Sequence, residues 1–301
     1  MSIETIVSAK KLPEALHDGP VTLLVRDRAT LLPWYRTVLG FVEQANGPTR
    51  SVLGAPGGAP LVILQDAGSA RGHDPRTAGL FHVAYLMPSR EDLARWVAHL
   101  AAKQIPIDGA SDHLVSEAFY LHDPEGNGIE VYRDRPRAEW RRDGEGVAMD
   151  TLPADIQGLL TLGTRLEDRF DTAPAGTTVG HVHLKVADLA ATKAFYIDAL
   201  GFDLMATYPG ALFVAAGGYH HHLGLNVWQS RGRPRVAGTE TGLIETTLVL
   251  PGGTGIDTAA GRLSNAGFEV VASGADAIAT DPAGLKLRLI AGVAAAEALA
   301  G

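Results

Sequence analysis

The feature that most constrains the fold of this chain is a pattern that occurs four times along its 301 residues. Each copy predicts a short strand, an amphipathic helix and then several strands joined by Gly-rich turns. The first and third copies match by eye, since Trp34–Phe41 (WYRTVLGF) aligns with Phe195–Phe202 (FYIDALGF). One such βαβββ module cannot bury both faces of its sheet. We therefore expect modules to pair and to curl their sheets around a shared cavity.

The module boundaries predict an α+β protein of two half-barrels. Modules one and two occupy residues 1–137, a connector occupies 138–178, modules three and four occupy 179–293, and a tail occupies 294–301. The connector is rich in charge, Gly and Pro, with one helical turn expected near Ile156 to Leu160. The module helices are predicted over residues 31–39, 93–103, 190–200 and 256–266. Gly40 and Gly201 should end the first and third helices, and Ser89 and Asp188 should cap the second and third, while Pro33 is tolerable only within a first turn.

Composition narrows the class of partner and of metal ligand. The net charge is −8 with both signs mixed along the chain, which argues against nucleic acid or an anionic membrane as the partner. No segment has the length of a transmembrane helix, and the N-terminus lacks a signal-peptide pattern, so a cytoplasmic protein is expected. Cysteine is absent. Any transition metal must therefore be held by His and carboxylate side chains.

The stretch from Ser111 to Tyr132 carries the chemistry that the pattern suggests. It predicts a strand, a tight turn over Asp123–Gly128 (DPEGNG) and a second strand, Ile129–Tyr132. Glu130 lies inside that otherwise apolar strand, where a carboxylate is costly to bury unless a positive charge meets it. Taken alone, the same pattern fits an edge strand with Glu130 in solvent.

Four motifs resemble one known family, the vicinal oxygen chelate superfamily of glyoxalases, bleomycin-resistance proteins and extradiol dioxygenases. They are FHVA at Phe81, the stretch just described, GHVHL at Gly180 and GYHHHLGLNVW at Gly218. Within the superfamily the chain looks most like the catechol 2,3-dioxygenase group. Function varies widely on this fold, so the chemistry has to be argued from the site.

The resemblance implies a divalent metal held by the first strands of two paired modules and a carboxylate on a last strand. Superposing the modules makes four positions of the first strands equivalent: Pro20, His82, His181 and Glu245. On the last strands Glu130 matches Arg288 and, less directly, Asn226 and Ile63. Only modules two and three supply two histidines and a carboxylate: His82, His181 and Glu130. This set suits Fe(II), with Mn(II) as a substitute, and we expect modules two and three to share the active cavity.

The resemblance also implies polar residues around the metal. A tyrosine is expected ten residues before the carboxylate, where Tyr120 stands, and His113 is a further polar group for substrate. A histidine acid/base is expected within His220–His222. Strand parity with Asn226 favours His222, and His221 is the reserve because a bulge would reverse the parity.

Each of these residues also has a structural interpretation. His82 could be a satisfied core histidine, Tyr120 a core residue bonded to backbone, and the three consecutive histidines a surface tract. His183 shares a face with His181 and could replace it as ligand. The remaining histidines, His17, His73, His99 and His122, are expected at the surface without a role.

The expected function is ring cleavage of a small aromatic diol by O2 in an Fe(II)-dependent extradiol dioxygenase, plausible as a homo-oligomer. One alternative is a non-redox metal enzyme of glyoxalase or epimerase type, which commonly needs a fourth protein ligand where this chain has Asn226. Another is a non-catalytic protein that binds a flat aromatic compound. Such a protein would need neither Glu130 nor His82.

Overall fold

The computed structural model describes residues 11–144, 146–236, 240–292 and 299–300. By contact pattern the described residues fall into two compact units. One takes those within Met1–Leu24, Ser69–Phe81 and His181–Val293, and the other those within Val25–Gly68, His82–Gly180 and Ala294–Gly301. Of the tail expected at 294–301, only 299–300 lie among the described residues.

All four modules have the predicted order of one strand, one helix and three strands. Module one contains β2 (Val21–Val25), α1 (Arg28–Leu39), β3 (Val42–Asn46), β4 (Arg50–Gly54) and β5 (Pro60–Asp66). Module two contains β6 (Gly79–Leu86), α2 (Arg90–Lys103), β7 (Gly109–Asp112), β8 (Ser116–His122) and β9 (Gly128–Asp134). Module three contains β13 (Thr178–Lys185), α4 (Leu189–Lys193) continued by a π-helix (Ala194–Leu200), β14 (Asp203–Tyr208), β15 (Ala211–Ala215) and β16 (Leu223–Asn226). Module four contains β17 (Gly242–Val249), α5 (Gly253–Asn265), β18 (Val270–Ser273), β19 (Asp276–Thr280) and β20 (Lys286–Ile290).

Short elements precede module one and fill the connector. They are β1 (His17–Asp18), a 3₁₀ turn (Arg137–Glu139), β10 (Arg142–Asp143), β11 (Gly146–Val147), β12 (Leu152–Pro153) and α3 (Ile156–Arg165). The expected single helical turn is thus a helix of ten residues. It packs closely on α2, because a Cβ at Gly163 would overlap the Ala94 carbonyl oxygen.

The strand order confirms which modules pair. One nine-stranded sheet runs β18-β19-β20-β17-β2-β5-β4-β3, with β1 added at β17, and so combines modules one and four. The other runs β12-β7-β8-β9-β6-β13-β16-β15-β14 and combines modules two and three. The predicted pairing of modules two and three is therefore correct, as is the α+β class.

In three modules the first strand lies parallel to the last, with the same register. Ala84 pairs with Glu130, His183 with Gly224, and Thr247 with Arg288. The match of Glu130 with Arg288 is confirmed. Glu130 pairs with Ala84, two residues after His82, and Arg288 pairs with Thr247, two residues after the equivalent Glu245. The match with Asn226 is wrong: the register places Gly224 at that position in module three.

Local signals set the helix ends. Asp27, Ser89 and Asp188 each accept a backbone N–H three residues later with their side chains, which caps α1, α2 and α4. Gly40 and Gly201 end their helices at φ of 68° and 101°, a conformation that glycine adopts without strain. Pro33 was predicted in the first turn of this helix. Because α1 begins at Arg28, Pro33 lies in the second turn, so that prediction is wrong.

The two units repeat one buried hydrogen bond. In one, the Tyr35 hydroxyl on α1 donates to Asp123 at 3.2 Å. In the other, the Tyr196 hydroxyl on the π-helix donates to Asp281 at 3.0 Å. Both acceptors begin the Asp-Pro-x-Gly turn that precedes a last strand, so this bond joins a helix of one module to the turn of the next.

No helix in the described part of the chain is both long and apolar enough to cross a membrane.

Candidate metal centre

The three residues predicted as ligands form a group with the spacing that a metal ion requires. His82, Glu130 and His181 each offer one ligand atom, and these atoms lie within 4.8 Å of one another. All three side chains are buried. The group found among the described residues contains His181 and not His183, the alternative ligand.

Glu130 is a buried carboxylate of a central strand. It is 2% exposed and lies on β9 between β8 and β6, so the alternative of an edge strand with Glu130 in solvent is wrong. His82 Nε2 lies 3.0 Å from Glu130 Oε2. The cost of burying this carboxylate is lowered by such a partner, or by a cation that both side chains share.

Tyr120 and His113 adjoin the carboxylate. Tyr120 on β8 is the direct cross-strand partner of Glu130 on β9, and its ring centroid lies 5.6 Å from that of His82. Its hydroxyl lies 2.6 Å from His113 Nε2, while His113 Nδ1 lies 2.8 Å from the Asp150 carbonyl oxygen. Since that carbonyl can only accept, Nδ1 donates to it, and in the neutral ring Nε2 accepts from Tyr120.

Burial raises the pKa of the Tyr120 hydroxyl well above its ordinary value, and the charge of Glu130 raises it further. At neutral pH Tyr120 is therefore a hydrogen-bond donor. The structural interpretation of Tyr120 as a core residue bonded to backbone does not describe it, since its hydroxyl meets the His113 side chain.

The histidine tract of module three is buried and lies beside His181. The His221 ring centroid is 4.1 Å from that of His181, and the His220 centroid is 6.0 Å from it. His220 and His221 bring their Nδ1 atoms within 2.8 Å of each other. The interpretation of the tract as a surface feature is wrong, because all three histidines are buried.

The backbone before β16 departs from regular pairing. Leu223 pairs with Val214, so a regular ladder would bring His222 opposite Ala215. Instead the His222 N–H donates to the Val214 carbonyl, and His222 Nδ1 accepts from the Ala216 N–H at 3.2 Å. An irregularity of this kind reverses the alternation of side chains between the two faces of the strand. It was the stated reason for keeping His221 as the alternative to His222.

A second buried polar group lies further along β13, and the sequence did not single it out. His181, His183 and Lys185 are spaced two residues apart and therefore lie on the same face of the strand. Its Nζ donates to His73 Nε2 at 3.0 Å and to the Pro75 carbonyl at 2.9 Å. Burial lowers the pKa of Lys185 to about 8 and that of His73 to about 4.

His73 was expected at the surface without a role, and that expectation is wrong. The alternation of His181, His183 and Lys185 was the available signal, whereas the partner of Lys185 lies 112 positions away.

Modules one and four fill the equivalent positions differently. Glu245 stands where module two has His82, and Arg288 stands where it has Glu130. Their side chains form an ion pair, with Arg288 Nε 2.7 Å from Glu245 Oε1. Arg288 also meets Asp276 at 3.1 Å. A cation of the protein thus takes the place that a metal ion would need.

The ligand atoms of His82, Glu130 and His181 fit a divalent transition metal. Two imidazoles and one carboxylate, all buried, offer nitrogen and oxygen ligands of the type that suits Fe(II) and leaves positions open for other molecules. Mn(II) accepts the same donors.

Comparisons with known proteins agree with this architecture. A family model for the glyoxalase/bleomycin resistance protein/dioxygenase superfamily matches residues 19–131 and 178–289. The catechol-2,3-dioxygenase of Bacillus subtilis (strain 168) is 43% identical to this chain over 261 residues, which are 85% of this chain and 90% of the relative.

Solved structures share the fold. A protein of Bacillus subtilis subsp. subtilis str. 168, provisionally described as a dioxygenase, has a TM-score of 0.64 at 13% identity and covers 93% of this chain and 85% of its own. Glyoxalase I from Zea mays has a TM-score of 0.57 at 15% identity and covers 92% of each chain. The family match covers both halves of the repeat, and the chain belongs to the glyoxalase/bleomycin resistance protein/dioxygenase superfamily.

Proposed function

We propose that this protein is an Fe(II)-dependent extradiol dioxygenase that opens the ring of a catechol-type aromatic and incorporates both atoms of O2. The observation that carries the proposal is the buried group of His82, Glu130 and His181, with ligand atoms within 4.8 Å of one another. The 43% identity to a catechol-2,3-dioxygenase supports the same reaction class. A cytoplasmic location and a homo-oligomer stay predictions.

In this proposal His82, His181 and Glu130 hold the metal. Fe(II) bound there would supply Lewis acidity toward the adjacent oxygens of a diol and the redox chemistry that O2 requires. Mn(II) could replace it, because the donor set does not separate the two ions.

Tyr120 and His113 act on the substrate oxygen. The Tyr120 hydroxyl stays protonated at neutral pH, and because its proton is directed to His113, its oxygen accepts a hydrogen bond from a diol O–H that lies against Glu130. His113, held by the Asp150 carbonyl, orients that hydroxyl. An acid/base histidine of the 220–222 tract moves a proton at its ring nitrogen. His222 was the first choice from sequence, but the 4.1 Å between the His221 and His181 rings supports His221.

The rival non-redox metal enzyme of glyoxalase or epimerase type is supported less well. Such enzymes commonly use a fourth protein ligand, and the register places Gly224 at the last-strand position of module three. Glycine has no side chain to coordinate a metal. The fold likeness to maize glyoxalase I concerns architecture alone.

The first test is anaerobic reconstitution with Fe(II), followed by catechol and air while the absorbance of a yellow ring-opened product is recorded. Glu130→Ala and His181→Ala should lose bound iron, measured by metal analysis. They should lose more activity than the roughly 10–100-fold that removal of an outer partner of a metal ligand costs.

Glu245→Ala is the matched control, because Glu245 occupies the equivalent strand position in module four and pairs with Arg288. It should keep both iron and activity. Bound metal without product from several catechols would favour the non-redox enzyme. Wild-type protein that binds an aromatic diol but no metal would favour the binding protein and contradict the proposal.

A further inference from the structure

A continuous series of aromatic rings leads from the protein surface to His181. The Trp228 ring centroid lies 5.5 Å from that of His183, and His183 lies 5.6 Å from Phe213. Phe213 lies 5.0 Å from His221, which is 4.1 Å from His181. Phe81 closes the outer part, with centroids 4.9 Å from His183 and 5.4 Å from Trp228. Phe81, His183, Phe213 and Trp228 are called the aromatic wall below.

The strand register places His183 and Phe213 on the face that carries His181. His183 follows His181 on the same face of β13, and Gly224 on β16 is its register partner. Phe213 on β15 is in turn opposite Gly224. Because Gly224 has no side chain, the rings of His183 and Phe213 meet over it. A Cβ at Gly224 would lie 2.8 Å from the His183 ring.

Exposure falls along the wall toward the metal ligand. Trp228 is 44% exposed, Phe81 and Phe213 are half-buried, and His183 and His181 are buried. Large apolar rings that are only half covered, next to a buried ligand, leave surface for a bound molecule.

The outermost ring is held in one orientation. Trp228 Nε1 donates to the Pro209 carbonyl at 2.8 Å. The backbone of Gly210, at φ of 80°, approaches the indole so closely that a Cβ there would lie 3.0 Å from it. A ring fixed in this way can bind without first losing rotamer freedom.

Three of the four wall side chains offer no partner to an ionic group on a ligand. Phe81, Phe213 and Trp228 carry no ionisable group, and the fourth residue, His183, is buried. Lys185, the next residue on the His181 face of β13, is directed to the loop at His73 and Pro75, where it donates two hydrogen bonds. A carboxylate placed against the rings of Phe81, Phe213 and Trp228 would give up water without gaining a partner from these three side chains.

We propose that the aromatic wall of Phe81, His183, Phe213 and Trp228 binds the ring substituent of the diol and selects substrates whose substituent is uncharged and apolar. The inference rests on the proposed ring-cleavage function and specifies its substrate class. Ring edges and faces in the wall offer T-shaped and offset contacts to an alkyl, halogen or aryl group.

The test compares three diols in the iron-loaded full-length protein: catechol, a 4-alkylcatechol and 3,4-dihydroxybenzoate. The wild type should prefer the 4-alkylcatechol in kcat/KM and cleave the carboxylate slowest. In Trp228→Ala and Phe213→Ala the KM for the 4-alkylcatechol should rise about tenfold or more, the range for an apolar group in a hydrophobic pocket. The KM for catechol, which has no ring substituent, should rise less than the KM for the 4-alkylcatechol in both variants.

Tyr208→Ala is the matched control, since Tyr208 is an exposed aromatic residue on β14 outside the wall. Trp228→Phe should restore most of the preference, which separates ring contact from loss of folding. Equal losses for catechol and the 4-alkylcatechol, or a preference for 3,4-dihydroxybenzoate, would overturn the inference.

If the wild type cleaves none of the diols, the ring-cleavage proposal fails and the wall is tested by binding alone. Quenching of the protein's tryptophan fluorescence by the 4-alkylcatechol should then be half-maximal at a concentration at least about tenfold lower than by catechol. Phe213→Ala should abolish that difference, and its persistence in this variant would reject the wall.

Discussion

At the scale of single residues, two buried carboxyl groups at equivalent positions of the repeat, Asp123 and Asp281, accept equivalent hydrogen bonds. Asp281 accepts the backbone N–H groups of Ala283 and Leu285 with one oxygen and the Tyr196 hydroxyl with the other. Asp123 accepts from Tyr35 and from the backbone of Glu125 and Asn127 in the same manner. Both carboxyls have a raised pKa because burial outweighs these hydrogen bonds.

Asp281 should make stability depend on pH. Burial raises its pKa from 3.8 to about 6, so the folded protein binds this proton more tightly than the unfolded chain does. Its contribution is complete below about pH 4 and is lost as the pH rises to about 6, a fall of about 3 kcal/mol in the free energy of unfolding. Asp281→Asn cannot ionise and should remove this part of the slope in urea unfolding between pH 4 and 6. An unchanged slope in the variant would contradict the assignment.

At the scale of elements, the irregularity before β16 decides which histidine meets His181. Gly217 and Gly218 both have positive φ, 61° and 66°, which lets the chain turn sharply before the tract. The His222 ring then accepts from the Ala216 N–H and lies 6.3 Å from Phe202, centroid to centroid. The His221 ring is tilted against that of His181, with their centroids 4.1 Å apart.

The two histidines should therefore differ in kinetics. His221→Gln should lower kcat by about 10²–10⁴-fold, the usual contribution of a general acid or base, and should remove a limb of the pH–rate profile. His222→Gln should lower the thermal midpoint and keep that limb, because Gln can still accept from Ala216. If His222→Gln loses the limb of the pH–rate profile and His221→Gln keeps it, His222 is the acid/base residue, as first predicted from the sequence.

At the scale of the whole molecule, the two sheets share one plan and differ in what occupies its equivalent positions. Module two places His82 and Glu130 on adjacent parallel strands, whereas module four places Glu245 and Arg288 at the equivalent positions. An ion pair at 2.7 Å joins the latter. The sheet of modules one and four is therefore expected to serve stability and not catalysis.

Glu245→Gln should separate these two roles. The change leaves Arg288 with a weaker partner, and Glu245 is buried while about a quarter of the Arg288 side chain is exposed. Loss of a charged hydrogen bond in this setting should cost about 1–3 kcal/mol of unfolding free energy, measured in urea. Iron content and kcat should not change. A parallel loss of activity in the folded variant would show that this sheet contributes to the site.

From the sequence alone we predicted the four modules, the glycines that end two helices and the candidate ligands, because periodicity, capping residues and the fourfold repeat are local or repeated signals. The helix starts lie up to three residues before the predicted ones. The equivalence of His82 with His181, and of Glu130 with Arg288, followed from superposing the modules. Three features are visible only in the folded protein: His221 adjoins His181, Gly224 occupies the position equivalent to Glu130, and Lys185 donates to His73. These depend on a backbone irregularity, on strand register and on a contact across 112 positions, none of which leaves a periodic trace in the chain.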